Sequence, residues 1–276
     1  MVKKIFAYSY IYLILLLMYV PILVLIVFSF TNATYIGEWN GFSFQLYKNL
    51  FQDQEIMVAL GNTIIIALIS SAVATILGTL GAIGVFYSKK RTRGIIEGIN
   101  QIPVVNAEIV MALSLTIMFV MLGNIIFKNN IFSFWTLLIG HVVISLPFVY
   151  LNVKPKLTQM DQSLYEAALD LGCGPRAALT KVVIPQIVPG VISGFLIAIT
   201  LSLDDFIVTA FTRGPGLLSG EGNIETLSTL VQAKIKKGPI PVNMRPLTTI
   251  IFIVVLIAAI LVSLVRNKSV KRRRVR

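Results

Sequence analysis

Three acidic residues lie inside segments that are otherwise apolar, and their chemistry depends on those surroundings. Asp204 and Asp205 are adjacent in the stretch LSLDDFIV, and Glu108 lies within a second apolar segment. A carboxylate at the centre of a membrane helix costs about 2.5–3.5 kcal/mol on insertion scales, so each acid is a candidate functional group. These segments contain no Lys or Arg that could pair with the acids. Such carboxylates favour the binding of a cation from outside the chain.

Helical spacing assigns different positions to the two aspartates. Adjacent residues of a helix point about 100° apart, so Asp204 and Asp205 cannot have equal roles. One side of a continuous helix would carry a polar stripe of Ser202, Asp205, Thr209 and Thr212. The stripe favours Asp205 as the residue that faces a polar pathway. In a helix beginning near Gly94, Glu108 would lie about 21 Å along the axis, near the middle of a bilayer.

Metal and disulfide chemistry are not indicated by the sequence. Cys173 is the single cysteine and His141 the single histidine, so the chain has no Cys/His cluster and no pair for an intrachain disulfide. We interpret His141 as a packing or hydrogen-bonding residue rather than a ligand or a proton relay.

The elements that position the acids must be membrane-spanning helices. Hydrophobic residues make up 56% of the 276 residues and charged residues only 13%, whereas a soluble domain has about a quarter charged residues. A segment of roughly 20 apolar residues crosses a bilayer. The sequence predicts an all-α membrane protein with one transmembrane domain over residues 1–276. Its six predicted spans are Tyr8–Phe30, Ile64–Tyr87, Val104–Leu122, Ile131–Tyr150, Ile187–Phe211 and Leu247–Val265.

The basic residues predict how the spans are oriented. Most of the 24 Lys and Arg residues lie in segments that six spans place on the side of the termini, including the tail Lys271-Arg272-Arg273-Arg274. Positively charged loops stay in the cytoplasm. We therefore expect a multi-pass protein of the cell membrane with both termini cytoplasmic. Topology accounts for the net charge of +12, and we expect no nucleic-acid partner.

The connection between the fourth and fifth spans has a distinctive pattern. It reads Glu166-Ala167-Ala168, three residues, Gly172, nine residues, and then Val182-Val183-Ile184-Pro185. Small alanine side chains let another protein approach closely, and Gly172 and Gly174 permit the positive φ of a tight turn. The pattern predicts two short helices separated by a glycine turn, the second opened by Pro175.

This pattern resembles the coupling loop of permease subunits of ATP-binding-cassette (ABC) importers. The family motif is E-A-A, three residues, G, nine residues and I-x-L-P, from which Val182 and Ile184 are conservative departures. The resemblance implies the type I importer permease fold, also called MetI-like. It also implies that the loop 153–185 docks on a cytoplasmic ATPase subunit. The residues that would carry this coupling are Glu166, Ala167, Ala168, Gly172 and Pro185.

Other stretches resemble the branch of this family that imports the polyamines spermidine and putrescine. They are Tyr19-Val20-Pro21-Ile22, Glu108-Ile109-Val110-Met111-Ala112, and Ser202-Leu203-Asp204-Asp205 followed by Thr212-Arg213-Gly214-Pro215. Several members of the branch have Asp at the position of Glu108. The resemblance implies a substrate pathway that includes Asp205, Asp204, Glu108 and Ser202.

The chemistry of a polyamine suits these residues. A polyamine is a flexible chain of ammonium groups separated by methylenes, so spaced carboxylates can bind successive charges. Aromatic faces offer cation–π contacts to the same groups. The candidate aromatic neighbours are Phe148, Phe206 and Phe211.

The resemblance also implies partners. They are a second homologous permease subunit, two copies of a cytoplasmic ATPase subunit, and an extracytoplasmic polyamine-binding protein. This chain has no G-x-x-x-x-G-K-[ST] phosphate loop. We therefore expect ATP and Mg to be bound by the ATPase partner, with no cofactor and no enzymatic activity in this chain.

Other functions fit parts of the sequence. A permease for a different cationic solute, such as ferric iron, would also use unpaired carboxylates. An ion-coupled secondary transporter could bind protons or sodium at the same acids, but the inverted repeats typical of that class are not visible. A membrane scaffold without a transport path would leave the acids unexplained.

Overall fold

The structure is a computed structural model that describes residues 2–33, 35, 37–127, 131–213, 224–237 and 241–257. These residues form helices with no strand among them, which confirms the all-α prediction. Two turns of π-helix, Gly123–Phe127 and Leu179–Val183, lie among them. The helices are α1 Val2–Phe28, α2 Gln45–Gln52, α3 Gln54–Phe86, α4 Lys90–Val105, α5 Glu108–Leu122, α6 Phe134–Gln159, α7 Ser163–Asp170, α8 Pro175–Ala178, α9 Ile184–Asp204, α10 Ile207–Thr212, α11 Leu227–Lys237 and α12 Met244–Ile257.

Long apolar helices account for five of the six predicted spans. In the described part of the chain, five helices are long and apolar enough to cross a membrane: Tyr8–Phe28, Gln54–Phe86, Glu108–Ile125, Phe134–Gln159 and Pro175–Asp204. The shorter α12 begins the sixth predicted span, whose continuation to Val265 lies outside the described residues, as does the basic tail Lys271-Arg272-Arg273-Arg274. The count of six therefore stays a prediction.

Two of the predicted spans are wrong as continuous helices. The third was predicted to include Val104, but α4 ends at Val105 and α5 begins at Glu108, with Asn106 and Ala107 in extended conformation. The fifth was predicted to run through to Phe211, but α9 ends at Asp204 and α10 begins at Ile207. The apolar composition of a segment predicts that the segment lies in lipid. It does not predict whether the helical hydrogen bonds of the backbone continue without a break.

The boundaries of other spans also differ from the predictions. α3 begins ten residues before Ile64, and α6 continues nine residues past Tyr150. A span predicted from apolar composition ends at the first polar residues, whereas the helix itself continues, because its backbone hydrogen bonds do not depend on that change.

The chain divides into two compact units, one of residues 1–57 and 237–276 and the other of residues 58–236. In the first unit, the ring of Phe30 stacks on Phe42 with centroids 5.4 Å apart and lies 5.3 Å from Tyr47 of α2. Tyr19 of α1 and Phe252 of α12 make an edge contact at 6.5 Å. Aromatic contacts therefore join the helices of this unit. The prediction of a single domain over residues 1–276 stays a prediction.

Helix α6 lies at the centre of the second unit. It contacts α9 along its length and also packs against α4, α5 and α10. Val149, Val153 and Leu157 of α6 have no exposed surface, and they share a core with Ile187 of α9 and Ala82 of α3. This core packs α9 against α6 and α3.

Two glycines of α9 permit its close approach to α6. A Cβ atom added at Gly190 would lie 2.8 Å from the carbonyl oxygen of Asn152, and one added at Gly194 would lie 3.1 Å from the Cα atom of Val149. Lipid tails are as apolar as Leu, so membrane helices depend on such packing for their association.

We therefore expect Gly190→Leu to destabilise the second unit, because its side chain would displace backbone atoms of α6. Overpacking of this kind costs about 1–3 kcal/mol, which should lower the melting temperature of the purified chain in mild detergent. Gly84→Leu is the control, since a Cβ at that position meets nothing within 4 Å. Equal melting temperatures for the two variants would contradict this account of the packing.

Candidate functional site

A cavity of about 300 Å³ lies where the two helix breaks meet α6. One wall is formed by the break between α4 and α5, and another by the break between α9 and α10. Irregular backbone at membrane depth is tolerated where it lines a cavity or is buried in protein. The lining residues are Pro103, Val104, Asn106, Glu108, Met111, Ile144, Phe148, Leu201, Asp204 and Asp205. The cavity therefore brings together all three acids that the sequence singled out, with no Lys or Arg among the lining residues.

The three acids differ in their exposure. Glu108 and Asp204 are exposed, and Glu108 is the first residue of α5. Asp205 is only 4% exposed. Glu108 was predicted to lie within a helix that begins near Gly94. It instead begins a new helix, α5, at the cavity. The continuous polar stripe that favoured Asp205 as the residue facing a polar pathway is also broken, because the helix ends at Asp204.

The carboxylate of Asp205 is held by the first turn of α10. Its Oδ1 atom accepts a hydrogen bond from the backbone amide of Val208 at 3.2 Å. Its Oδ2 atom accepts from the backbone amide and from the hydroxyl of Thr209, both at 2.7 Å. The first backbone amides of a helix have no carbonyl partner within it, and an aspartate side chain commonly satisfies them. Asp205 therefore stabilises the start of α10.

His141 of α6 connects the ends of α9 and α10. Its Nδ1 atom is 2.7 Å from the hydroxyl of Ser202, and its Nε2 atom is 2.9 Å from the hydroxyl of Thr209. Nε2 is also 3.6 Å from Oδ2 of Asp205. The predicted hydrogen-bonding role of His141 agrees with these contacts. Its partners lie 61 and 68 residues away in the chain, so local sequence patterns could not identify them.

The other predicted pathway residues have different positions. Ser202 is buried, and its hydroxyl also lies 3.2 Å from that of Ser70 in α3. Of the candidate aromatic residues, Phe148 lines the cavity. Phe211 packs in the core of α5 and α10, and Phe206 is not among the lining residues. Sequence reasoning missed Asn106, although Pro103, three residues earlier, is a helix-breaking residue near the end of α4.

The predicted coupling loop has the expected helix–turn–helix form. After α7, the amides of Gly172 and Cys173 donate to the carbonyls of Leu169 and Ala168, which is the pattern of a Schellman motif. Gly172 has φ +84°, as predicted, whereas Gly174 has φ −66° and does not use positive φ. The turn therefore depends on one glycine rather than two.

One face of this loop packs inward and the other is exposed. Glu166, Ala167 and Pro185 are exposed, Leu171 is 86% exposed, and Ala168 is buried. The exposed set is a mixed apolar and acidic surface of the kind that a protein partner can cover. Ala168 instead contributes to the packing of the loop on its own chain.

The end of α3 contacts α7, and α4 pairs with Lys154, which lies within the predicted loop 153–185. Tyr165 of α7 lies 5.4 Å from the ring of Tyr87, and burial raises the pKa of Tyr87, with a smaller contribution from Tyr165. In α4, Glu97 pairs with Lys154 at 2.9 Å and with Arg93 at 3.0 Å. Hydrogen bonds from Lys154 and then Arg93 lower the pKa of Glu97, so these pairs persist at neutral pH and are lost only as the carboxyl is protonated in acid.

Comparison with known proteins agrees with this arrangement of helices and loop. Residues 74–275 match the family described as "Binding-protein-dependent transport system inner membrane component". The chain belongs to this family. Together with its apolar helices, membership makes this inner membrane component a multi-pass membrane protein.

Individual relatives cover most of the chain of this inner membrane component. A spermidine/putrescine transport system permease protein PotC from Haemophilus influenzae is 32% identical over 241 residues, 87% of this chain and 88% of the relative. A putrescine transport system permease protein PotI from Escherichia coli is 31% identical over 226 residues, 82% of this chain and 78% of the relative.

A solved structure shows the same fold. The crystal structure of a bacterial ABC transporter involved in the import of the acidic polysaccharide alginate matches with a TM-score of 0.60. The match covers 92% of this inner membrane component and 95% of the other chain, at 15% identity. The predicted ABC importer permease fold is thereby confirmed.

The turn at Gly172 gives a prediction about coupling to ATP hydrolysis. An alanine in the left-handed region costs about 1–2 kcal/mol, so Gly172→Ala should misdirect α7 and reduce substrate-stimulated ATP hydrolysis about fivefold in the reconstituted transporter. Gly174→Ala adds the same methyl group at φ −66° and should have little effect; neither Cβ meets an atom within 4 Å. Equal hydrolysis rates for the two variants at matched membrane levels would contradict a role for this turn.

Proposed function

We propose that this chain is a translocation subunit of an ATP-driven ABC importer for polyamines such as spermidine and putrescine. The observation that carries the proposal is the cavity between the two helix breaks, which Glu108, Asp204 and Asp205 line without a Lys or Arg among its lining residues. Relatives named as spermidine/putrescine and putrescine permeases support the same substrate class.

The exposed carboxyl groups are the proposed contacts for the substrate. Glu108 and Asp204 can each bind one ammonium group of a polyamine, and the ring face of Phe148 offers a cation–π contact. Asp205 contributes negative charge from its buried position at the cavity wall, where both of its oxygen atoms also accept hydrogen bonds from α10. Ser202 acts through His141 rather than by facing the substrate.

A transporter must release its cargo as well as bind it. Two carboxyl groups on separate helices can engage a flexible substrate in turn, so movement of α5 relative to α9 would separate them and weaken binding. A rigid cage around the substrate would hold it instead. The placement of Glu108 and Asp204 at two different breaks suits binding followed by release.

The complete transporter requires partners. We propose that the exposed face of α7 and the Gly172 turn dock on a cytoplasmic ATPase, present in two copies, which binds ATP and Mg. A second homologous permease would complete the path, and an extracytoplasmic binding protein would deliver the polyamine. In this arrangement both termini of the chain and the loop 153–185 are cytoplasmic. The chain has no catalytic role of its own.

Uptake measurements test the substrate path. We expect Asp204→Asn and Glu108→Gln each to reduce uptake of labelled spermidine or putrescine about fivefold at matched membrane levels, because each removes an ammonium contact while keeping the side-chain shape. Glu38→Gln is the control, since Glu38 is exposed and does not line the cavity.

The outcome also separates the alternatives. Full uptake by an Asp204→Asn/Glu108→Gln double variant would contradict the proposed path. Uptake of ferric iron with no response to polyamines would assign a different cationic solute, and uptake driven by a proton or sodium gradient without ATP would assign a secondary transporter.

Cysteine labelling tests the orientation. Cys173 is exposed and is the only cysteine, so it should not react with a membrane-impermeant maleimide in intact spheroplasts. A Glu38→Cys/Cys173→Ser variant should react, because six spans place residue 38 outside. Reaction of Cys173 and protection of position 38 would overturn the orientation and the cytoplasmic docking of the loop.

A further inference from the structure

The contacts of His141 form one connected hydrogen-bond network across four helices. This network begins at Ser70 of α3, passes through Ser202 of α9 and the His141 ring of α6, and reaches Thr209 and Asp205 at the start of α10. All five residues are buried, and none is more than 4% exposed. Buried hydroxyl groups and imidazoles without hydrogen bonds are costly, so each link must have one donor and one acceptor.

The Asp205 carboxylate determines which group donates and which accepts in each hydrogen bond of this network. Both oxygen atoms of Asp205 already accept backbone amide hydrogens from α10, as an ionised carboxylate does. The single hydroxyl hydrogen of Thr209 is therefore donated to Oδ2 of Asp205 at 2.7 Å. Thr209 Oγ1 must then accept a hydrogen bond from Nε2 of His141.

These contacts place a hydrogen on Nε2, and because His141 is only 1% exposed, burial disfavours the charged ring, so we take the ring as neutral. Nδ1 has no hydrogen in that tautomer, so it accepts from the hydroxyl of Ser202 at 2.7 Å. Ser202 in turn accepts from Ser70. Nε2 is 3.6 Å from Oδ2 of Asp205, which is too long for a direct hydrogen bond, so the ring acts on the carboxylate through Thr209.

We propose that His141 is a positioning residue which, as the neutral Nε2–H tautomer, holds Thr209 and Asp205 at the start of α10. The inference rests on the proposed function in one respect: it assigns substrate contact to Asp204 and Glu108, because both oxygen atoms of Asp205 are engaged in hydrogen bonds to α10. A neutral ring also leaves the acidic cavity without a buried cation that would compete with the substrate for its carboxyl groups.

The tautomer can be measured without any substrate. His141 is the only histidine of the chain, so labelling the full chain with ¹⁵N-histidine gives the ring signals of one residue. In lipid nanodiscs at neutral pH, we expect Nε2 to give the signal of a protonated nitrogen and Nδ1 that of an unprotonated nitrogen. A ring protonated on Nδ1, alone or together with Nε2, would overturn the proposal.

Two substitutions separate positioning from packing in the complete reconstituted transporter. The amide nitrogen of His141→Gln can reach the position of Nε2 and keep the bond to Thr209, whereas His141→Asn reaches only the position of Nδ1. We expect the polyamine concentration for half-maximal uptake to stay within about twofold for Gln and to rise about fivefold for Asn, the effect of losing one buried hydrogen bond.

A second background shows whether His141 acts through Asp205. In an Asp205→Asn chain, His141→Asn should add no further change, because residues of one hydrogen-bond network are not additive. The same fivefold change in both backgrounds would mean that the ring only fills space, and the proposal would be wrong. A wild-type transporter that imports no polyamine would contradict the proposed function alone, and the ring signals would still decide the role of His141.

Discussion

The backbone at the break between α9 and α10 requires partners for its hydrogen-bonding groups, and the rest of the site depends on how they are satisfied. Interrupting a membrane helix leaves amides and carbonyls that lipid cannot satisfy. Here the side chain of Asp205 accepts from the amides of Val208 and Thr209, and the hydroxyl of Ser228 in α11 donates to the Asp205 carbonyl at 2.6 Å. The break is therefore a stable feature of the fold, and it leaves Asp204 as the last residue of α9 at the cavity.

This constraint divides the work among the acids. One carboxylate is used for structure, and two others, on separate helices, are exposed to the cavity. The His141 contacts stabilise the position of Asp205, because they connect α3, α6, α9 and α10 around its carboxylate. A site built in this way can carry unpaired negative charge toward a cationic substrate without losing the local fold.

The same helix also connects the cavity to the predicted coupling loop. α9 runs for 21 residues from the end of the loop to Asp204, a length of about 31 Å at the rise of an α-helix. Gly190 and Gly194 let it pack closely on α6. The loop and the acidic end of α9 are therefore joined by one helix that packs along α6.

The sequence by itself determined the membrane class, the approximate spans, the coupling-loop pattern and the positive φ of Gly172, because each follows from composition or from local backbone requirements. It also identified Glu108, Asp204 and Asp205, since an acid in an apolar segment is conspicuous. Only the tertiary structure decided which of them is exposed. The stripe through Asp205 assumed an unbroken helix, and whether a helix continues depends on partners for its backbone groups. Here the partners are the Asp205 side chain and the Ser228 hydroxyl. Ser228, and the His141 ring that contacts Thr209, are distant in sequence and become neighbours of Asp205 only when α6 and α11 pack against the ends of α9 and α10.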